Sequence, residues 1–304
     1  MSVNDKAETH GAFLIIAASV LWAFGYLFRK TILYGISPLL LSFVTSCIVA
    51  IVFAFTFRFP PIEIIRAFRA HALAYMALAL TGVVIGSTCM FIGLDHLDLG
   101  VTVILEKLQP VFTLLLATLF LRERTAKSKI PFMLIAVCAS YFVSMKNPFD
   151  FTFATTSVRG IVAVVMAAFS WGLASVIGKH LTKVQPNAQM ITLLRFALGA
   201  VMLLPVFIFR VPLGLRLQWD PYVVGVAALC AIFSTGLGYL LFYRGLRNVA
   251  ATVSGFLELV TPVVGLILGM VFLREQLTVI QLVAAFALLW SIYLLCKPAA
   301  QRQA

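Results

Sequence analysis

Charge is scarce in this 304-residue chain, in which 11% of residues are Asp, Glu, Lys or Arg. A soluble protein carries roughly 25%. Acids are the scarcer sign, with 11 Asp and Glu against 23 Lys and Arg. That shortage excludes a large soluble domain, so function must sit in an apolar bundle or on short loops. The four histidines (His10, His71, His96, His180) stand apart. There is no HExxH, no glycine-rich phosphate loop and no nucleophile elbow. No catalytic set, metal site or cofactor is therefore expected. A loop gathers Asp95, His96 and Asp98, which we read as a charged turn between helices rather than a metal site. No Lys/Arg cluster with interleaved aromatics points to nucleic acid. The five cysteines (Cys47, Cys89, Cys138, Cys230, Cys296) fall inside apolar runs and form no CxxC, so they read as small buried hydrophobes.

Apolar length is what the chain has. It is 62% hydrophobic, with mean hydropathy +1.06. About 20 apolar residues span a bilayer as a helix. Ten such runs lie near 12–29, 37–57, 71–94, 99–121, 128–145, 159–179, 187–209, 219–243, 250–273 and 278–296. The chain is thus expected to be an all-α membrane protein. The first run is too long for a signal-peptide core and should remain as a span. Between the second and third runs, Ile62, Ile65 and Phe68 share one helical face and Glu63, Arg66 and Arg69 another. That pattern predicts a short helix lying on the bilayer surface. Lys and Arg number fourteen on the side of the N-terminus and seven on the other. The positive-inside rule then puts both termini in the cytoplasm.

One stretch occurs twice. Leu105–Glu123, LEKLQPVFTLLLATLFLRE, returns 152 residues later as LELVTPVVGLILGMVFLRE, with ten of nineteen positions identical. Gly86 and Gly93 match Gly238 and Gly245 at the same offset, while Gly11 and Trp22 match Gly160 and Trp171 at 149. The expected division is residues 1–146 as a first five-span repeat, 147–158 as linker and 159–304 as a second repeat. Five is odd, so the second repeat inserts upside down relative to the first. Inverted repeats put a substrate site near mid-membrane, between the halves.

The repeated stretch carries Glu106 four residues before Pro110 and Glu258 four before Pro262. Proline lacks an N–H and crowds the carbonyl four residues back. Each Glu should therefore bring a charge and a freed carbonyl into an apolar span, facing protein or a wet cavity. Glu106, Lys107, Arg195 and Glu258 read as the charged groups deep in the spans. Adjacent helical residues diverge by about 100°, so Glu106 and Lys107 should not face each other. Gly82/Gly86 and Gly265/Gly269 form small-xxx-small patterns that predict tight helix contacts. Trp22 and Trp171 lie mid-span, away from the headgroup belt. Their N–H groups need either a wet pocket or a helix carbonyl.

Ten spans, two halves, and Pro-containing fourth and ninth spans ending in Leu-Arg-Glu resemble the drug/metabolite transporter superfamily, with an EamA-type domain in each half. Within it the chain resembles the bacterial aromatic amino-acid exporter branch. The resemblance implies that spans 1–4 and 6–9 enclose a central cavity, with spans 5 and 10 to the side. It further implies a carrier of the bacterial inner membrane that exports small metabolites by alternating access, bulky apolar amino acids favoured. Other metabolites, nucleosides or drugs are the alternative cargo. Expected substrate-binding residues are Trp22, Tyr26, Phe91, Glu106, Lys107, Trp171, Tyr239, Tyr243, Phe256 and Glu258. Both Trp would shape the pocket and both Glu, with their carbonyls, would hold the ammonium. Lys107 or helix termini would meet the carboxylate. Pro110, Pro262, Gly86 and Gly238 are the expected hinges. The partners expected are this substrate and the lipid bilayer, with a monomer as the expected state. The ninth span has no Lys or Arg inside it, which argues against a phosphorylated cargo.

Overall fold

The computed structural model describes residues 3–97, 99–144, 157–185, 187–208, 220–273 and 278–296. The stretch expected as linker lies almost wholly outside them, as do Asp98 and the Arg274-Glu275 end of the second repeat copy. Within them the chain is helical, and ten helices are long and apolar enough to cross a membrane. The first two spans are α1 (Val3–Lys30) and α2 (Pro38–Phe57). Then comes the expected surface helix, α3 (Pro61–Ala70), which buries none of its residues. The third span joins α4 (Ala72–Ala79) to α5 (Gly86–His96) through a π-helical turn, Leu80–Ile85. The fourth is α6 (Leu99–Glu106) followed by α7 (Gln109–Leu121), and the fifth is α8 (Ile130–Ser144).

The second half repeats this plan. Its sixth and seventh spans are α9 (Val158–Val184) and α10 (Ala188–Ile208). The eighth joins α11 (Pro221–Leu229) to α12 (Gly238–Leu246) through another π-helical turn, Cys230–Leu237. The ninth is split into α13 (Ala251–Leu257) and α14 (Val260–Leu273), and the tenth is α15 (Val279–Cys296). Both π turns end one residue before the matched glycines, Gly86 and Gly238. Both repeat copies break at the Glu, because a proline four residues on cannot close the α-helical bond to its carbonyl.

Packing crosses between the halves. Helix α1 lies on α12 and α14, and its counterpart α9 lies on α5 and α7. α2 packs on α10, α7 on α13, and α8 on α15. These pairings exchange the two halves, as two inverted five-helix repeats require. Outward-facing Phe55, Leu73, Leu119 and Phe286 are exposed, which water would penalise and lipid does not. One small-xxx-small expectation fails here. A side chain added at Gly265 would meet no atom within 4 Å among the described residues.

Candidate functional site

A cavity of about 50 Å³ lies between the halves. A water molecule needs roughly 10–15 Å³ by this measure, so the cavity has room for a few waters. Trp22, Tyr26, Phe91, Glu106, Trp171, Tyr239 and Glu258, all expected site residues, line it. Lys107 joins them through Glu106. Tyr243 and Phe256 are fully buried behind the wall.

Glu106 and Lys107 overturn the helical-angle argument. Lys107 Nζ lies 3.2 Å from Glu106 Oε2. The reason is local: α6 ends at Glu106 and α7 begins at Gln109, so the two residues do not share a regular helix. Tyr26 donates its hydroxyl proton to Glu106 Oε1 at 2.7 Å, which occupies the other carboxylate oxygen. Glu258 is less engaged. Gln109 Nε2 donates to its Oε2 at 2.8 Å, while Oε1 is buried without a partner among the described residues. The carbonyl expected to be free at Glu258 is taken. Thr261 donates to it from its backbone N–H at 3.0 Å and from its hydroxyl at 2.7 Å. A threonine beside the proline supplies the missing donors, so this carbonyl does not offer itself to an ammonium.

Arg195, 2% exposed, reaches the cavity. Its Nη1 donates to the Tyr243 hydroxyl at 2.7 Å, and its Nη2 to the Tyr239 hydroxyl and the Gly82 carbonyl, both at 3.0 Å. Its Cζ sits 3.9 Å from the centre of the Tyr239 ring, a cation–π distance. The Gly82 carbonyl also accepts from Trp171 Nε1 and from Ser87 Oγ, each at 3.1 Å. The π turn makes this possible, since its widened register turns a carbonyl away from the helix axis. Gly82 therefore serves side chains. A Cβ there would lie 2.4 Å from Arg195 Nη2.

Both mid-span tryptophans meet the matched glycine of the opposite half. A Cβ on Gly86 would come within 2.5 Å of Trp171 Nε1, and one on Gly238 within 2.6 Å of Trp22 Nε1. Of the two solutions open for an indole N–H, Trp171 takes the helix carbonyl; Trp22 Nε1 is buried against Gly238 with no partner among the described residues.

Sequence reasoning missed several groups. Arg29, one of the seven Lys and Arg placed on the side opposite the N-terminus, is 4% exposed, lines the cavity and donates to Thr235 Oγ1 and, at 3.2 Å, to the Cys230 carbonyl. It stands at the end of an apolar run, where composition alone cannot distinguish inside from outside. Ser42, Thr45, Ser46 and Gln109 also line the site. The spacing of the first three was a signal, since i, i+3 and i+4 share a helix face. A last pair lies away from the cavity. Lys30 Nζ donates to the carbonyls of Leu94 and, at 2.9 Å, Leu97. Lys179 Nζ does the same to Leu246 and Val249, both at 2.7 Å, and to Arg247 at 3.1 Å. Lys30 and Lys179 differ by 149 residues, the offset already linking Trp22 to Trp171. In each half a lysine ending the first span thus caps the C-terminus of the third. The Leu-Arg-Glu ending has a comparable task. The Glu123 carboxylate accepts from the N–H groups of Ala251 and Thr252, at 2.9 and 3.0 Å, at the start of α13. At the Asp95-His96 turn, no group of three or more His, Cys, Asp or Glu that could hold a metal forms among the described residues.

Known proteins share this plan. The chain is 24% identical to the riboflavin transporter ImpX of Fusobacterium nucleatum over 94% of this chain and 97% of that one. It is equally similar, at 24%, to the uncharacterized transporter YoaV of Bacillus subtilis over 92% and 94%. An uncharacterized transporter of Methanothermobacter thermautotrophicus is 24% identical over 94% of this chain and 85% of its own. A solved crystal structure has the same fold, with TM-score 0.75 at 16% identity over 96% of this chain and 99% of that one. The profile of the EamA-like transporter family matches residues 9–145 and again 158–296, once in each half. The chain is a multi-pass membrane transporter that belongs to the EamA-like transporter family.

Proposed function

We propose that this transporter is a secondary carrier exporting zwitterionic amino acids, those with bulky apolar side chains favoured, by alternating access between its halves. One observation carries the reading. The cavity lining holds two carboxylates, Glu106 and Glu258, and two guanidinium groups, Arg29 and Arg195, on otherwise aromatic and small walls. Groups of both signs within one apolar site complement a molecule that carries both signs. Glu258, with an open carboxylate oxygen, takes the ammonium. Arg29 and Arg195 replace Lys107 as the groups that meet the carboxylate, because Lys107 is tied to Glu106. Trp22, Tyr239 and Phe242, whose rings lie 5.1–6.2 Å apart, cover the apolar side chain. Ligand sites commonly measure about 300–1,000 Å³, so the cavity is contracted and must widen to accept cargo. The division at 147–158, cytoplasmic termini and residence in a bacterial inner membrane belong to the same reading. So do the four hinges, Pro110, Pro262, Gly86 and Gly238.

The name of the Fusobacterium relative favours a second reading, a flat aromatic heterocycle as cargo. Flux of radiolabelled phenylalanine or methionine in proteoliposomes, with riboflavin as competitor, separates the two. Saturable amino-acid flux that falls at least tenfold in Glu106→Ala/Glu258→Ala supports the first. Riboflavin flux without amino-acid flux supports the second.

A further inference from the structure

The central cavity has a neighbour. A hollow of about 220 Å³ opens on the N-terminal side of the bundle. Its rim carries His10, Arg244, Arg247 and Asn248, all exposed. Buried Thr182, Ala188, Ile191 and Tyr243 form its floor. These residues come from α1, α9, α10 and α12 and the turn after it, and those four helices also wall the central cavity. Neither Arg244 nor Arg247 has an acidic partner within ion-pair distance among the described residues. The funnel is therefore cationic at its rim, above a floor of two apolar side chains and two hydroxyls.

One bond joins the linings of the two hollows. Tyr243 belongs to the outer one and Arg195 to the central one, and Arg195 Nη1 donates to the Tyr243 hydroxyl at 2.7 Å. Gly178 lets the tyrosine lie across the opening, since a Cβ there would come within 2.8 Å of its ring.

We propose that this funnel is the mouth through which carboxylate-bearing substrate enters from the N-terminal side, and that the Arg195–Tyr243 bond is its closed gate. The proposal rests on the carrier reading above and adds the route and the trigger. Two unpaired guanidinium groups raise the local concentration of anions. A carboxylate that reaches Tyr243 offers Arg195 two oxygens in a bidentate pair, against the single oxygen of a phenol. Arg195 exchanges one acceptor for the other, the tyrosine is released, and the substrate itself opens the floor. A cargo without a carboxylate gives Arg195 no reason to let go.

Thiol labelling tests both parts without any substrate. In a background with the five native cysteines replaced, Leu14→Cys reports on the funnel and Ser175→Cys on the central cavity. Membrane-impermeant methanethiosulfonates of either charge are applied from the N-terminal side, with rates normalised to a free thiol. At Leu14→Cys the anionic reagent should react faster than the cationic one by on the order of 10-fold. Arg244→Gln/Arg247→Gln should bring the two to parity. At Ser175→Cys, Tyr243→Ala should raise labelling from this side on the order of 10-fold, and Tyr243→Phe, which keeps the ring, by less. If Tyr243→Ala fails to purify as a single species, Tyr243→Phe decides. Equal rates for both reagents at Leu14→Cys overturn the anion-selecting mouth. An unmoved Ser175→Cys rate overturns the gate. Should both shifts appear while the unsubstituted protein moves no amino acid, the amino-acid reading falls and the gate stands.

Discussion

Replacing Lys179 by Met tests the reading of the matched lysine caps against an internal control. The Lys179 side chain is 7% exposed and satisfies three carbonyls at the end of α12. Methionine keeps most of the volume and removes every donor. A buried acceptor left unsatisfied costs about 1–3 kcal/mol, and helix-end neighbours recover part of that. The loss should therefore come to about 3–5 kcal/mol. Lys30→Met removes the equivalent cap from α5, but Lys30 serves two carbonyls and is only half-buried, so its loss should be about 1–2 kcal/mol. Each kcal/mol shifts the melting temperature by about 2–4 °C in a chain of this class. Thermal unfolding in detergent, followed by the reaction of buried Cys230 with a fluorogenic maleimide, should show a drop of about 6–20 °C for Lys179→Met and about 2–8 °C for Lys30→Met. Equal losses, or a larger one at Lys30, would refute the claim that the caps act by the number and burial of the carbonyls they hold.

Gly82→Ala should push the Arg195 guanidinium off its carbonyl and cut flux at least tenfold, whereas Gly225→Ala, where a Cβ meets no atom within 4 Å, should raise stability by about 0.5–1 kcal/mol through helix propensity alone. Flux assays and melting curves on the two variants check this contrast. Glu123→Ala strips the N-terminus of α13 of its acceptor and should lower the melting temperature by about 2–4 °C, with Glu123→Gln recovering part of the loss. In the loop after α1, the Tyr34 hydroxyl donates to Asp220 Oδ2 at 2.9 Å, which raises its pKa above the ordinary 10.0. The raised folded value means this bond stabilises the fold below pH about 10 and is lost as pH climbs past the shifted pKa. Asp220→Asn should bring the phenol back toward its ordinary titration, read by alkaline ultraviolet absorbance.

Much of the architecture was legible because it follows from length and repetition. Apolar runs fix the spans, and an odd number of spans per copy forces the inversion. The prolines announced the breaks at Glu106 and Glu258. What the breaks do to neighbours was not legible. The pairing of Lys107 with Glu106 needs the irregular turn, which a helical wheel assumes away, and Thr261 looked like an ordinary polar residue until it capped the Glu258 carbonyl. Both π turns were invisible too, since no residue type demands one, and with them the triple acceptor at Gly82. Arg29 defeated the reading for a different reason: burial at a span's end depends on what packs across it, here the π turn of the eighth span.

Several of the contacts that hold the site together run from one copy to the other. Trp171 of the second leans on Gly86 of the first, Trp22 of the first on Gly238 of the second, and Glu123 of the first finishes a helix of the second. Neither copy is self-sufficient: each is an incomplete object whose missing parts are carried by its sibling. A substitution in one is therefore felt first by the other, and the pair must drift through sequence space together.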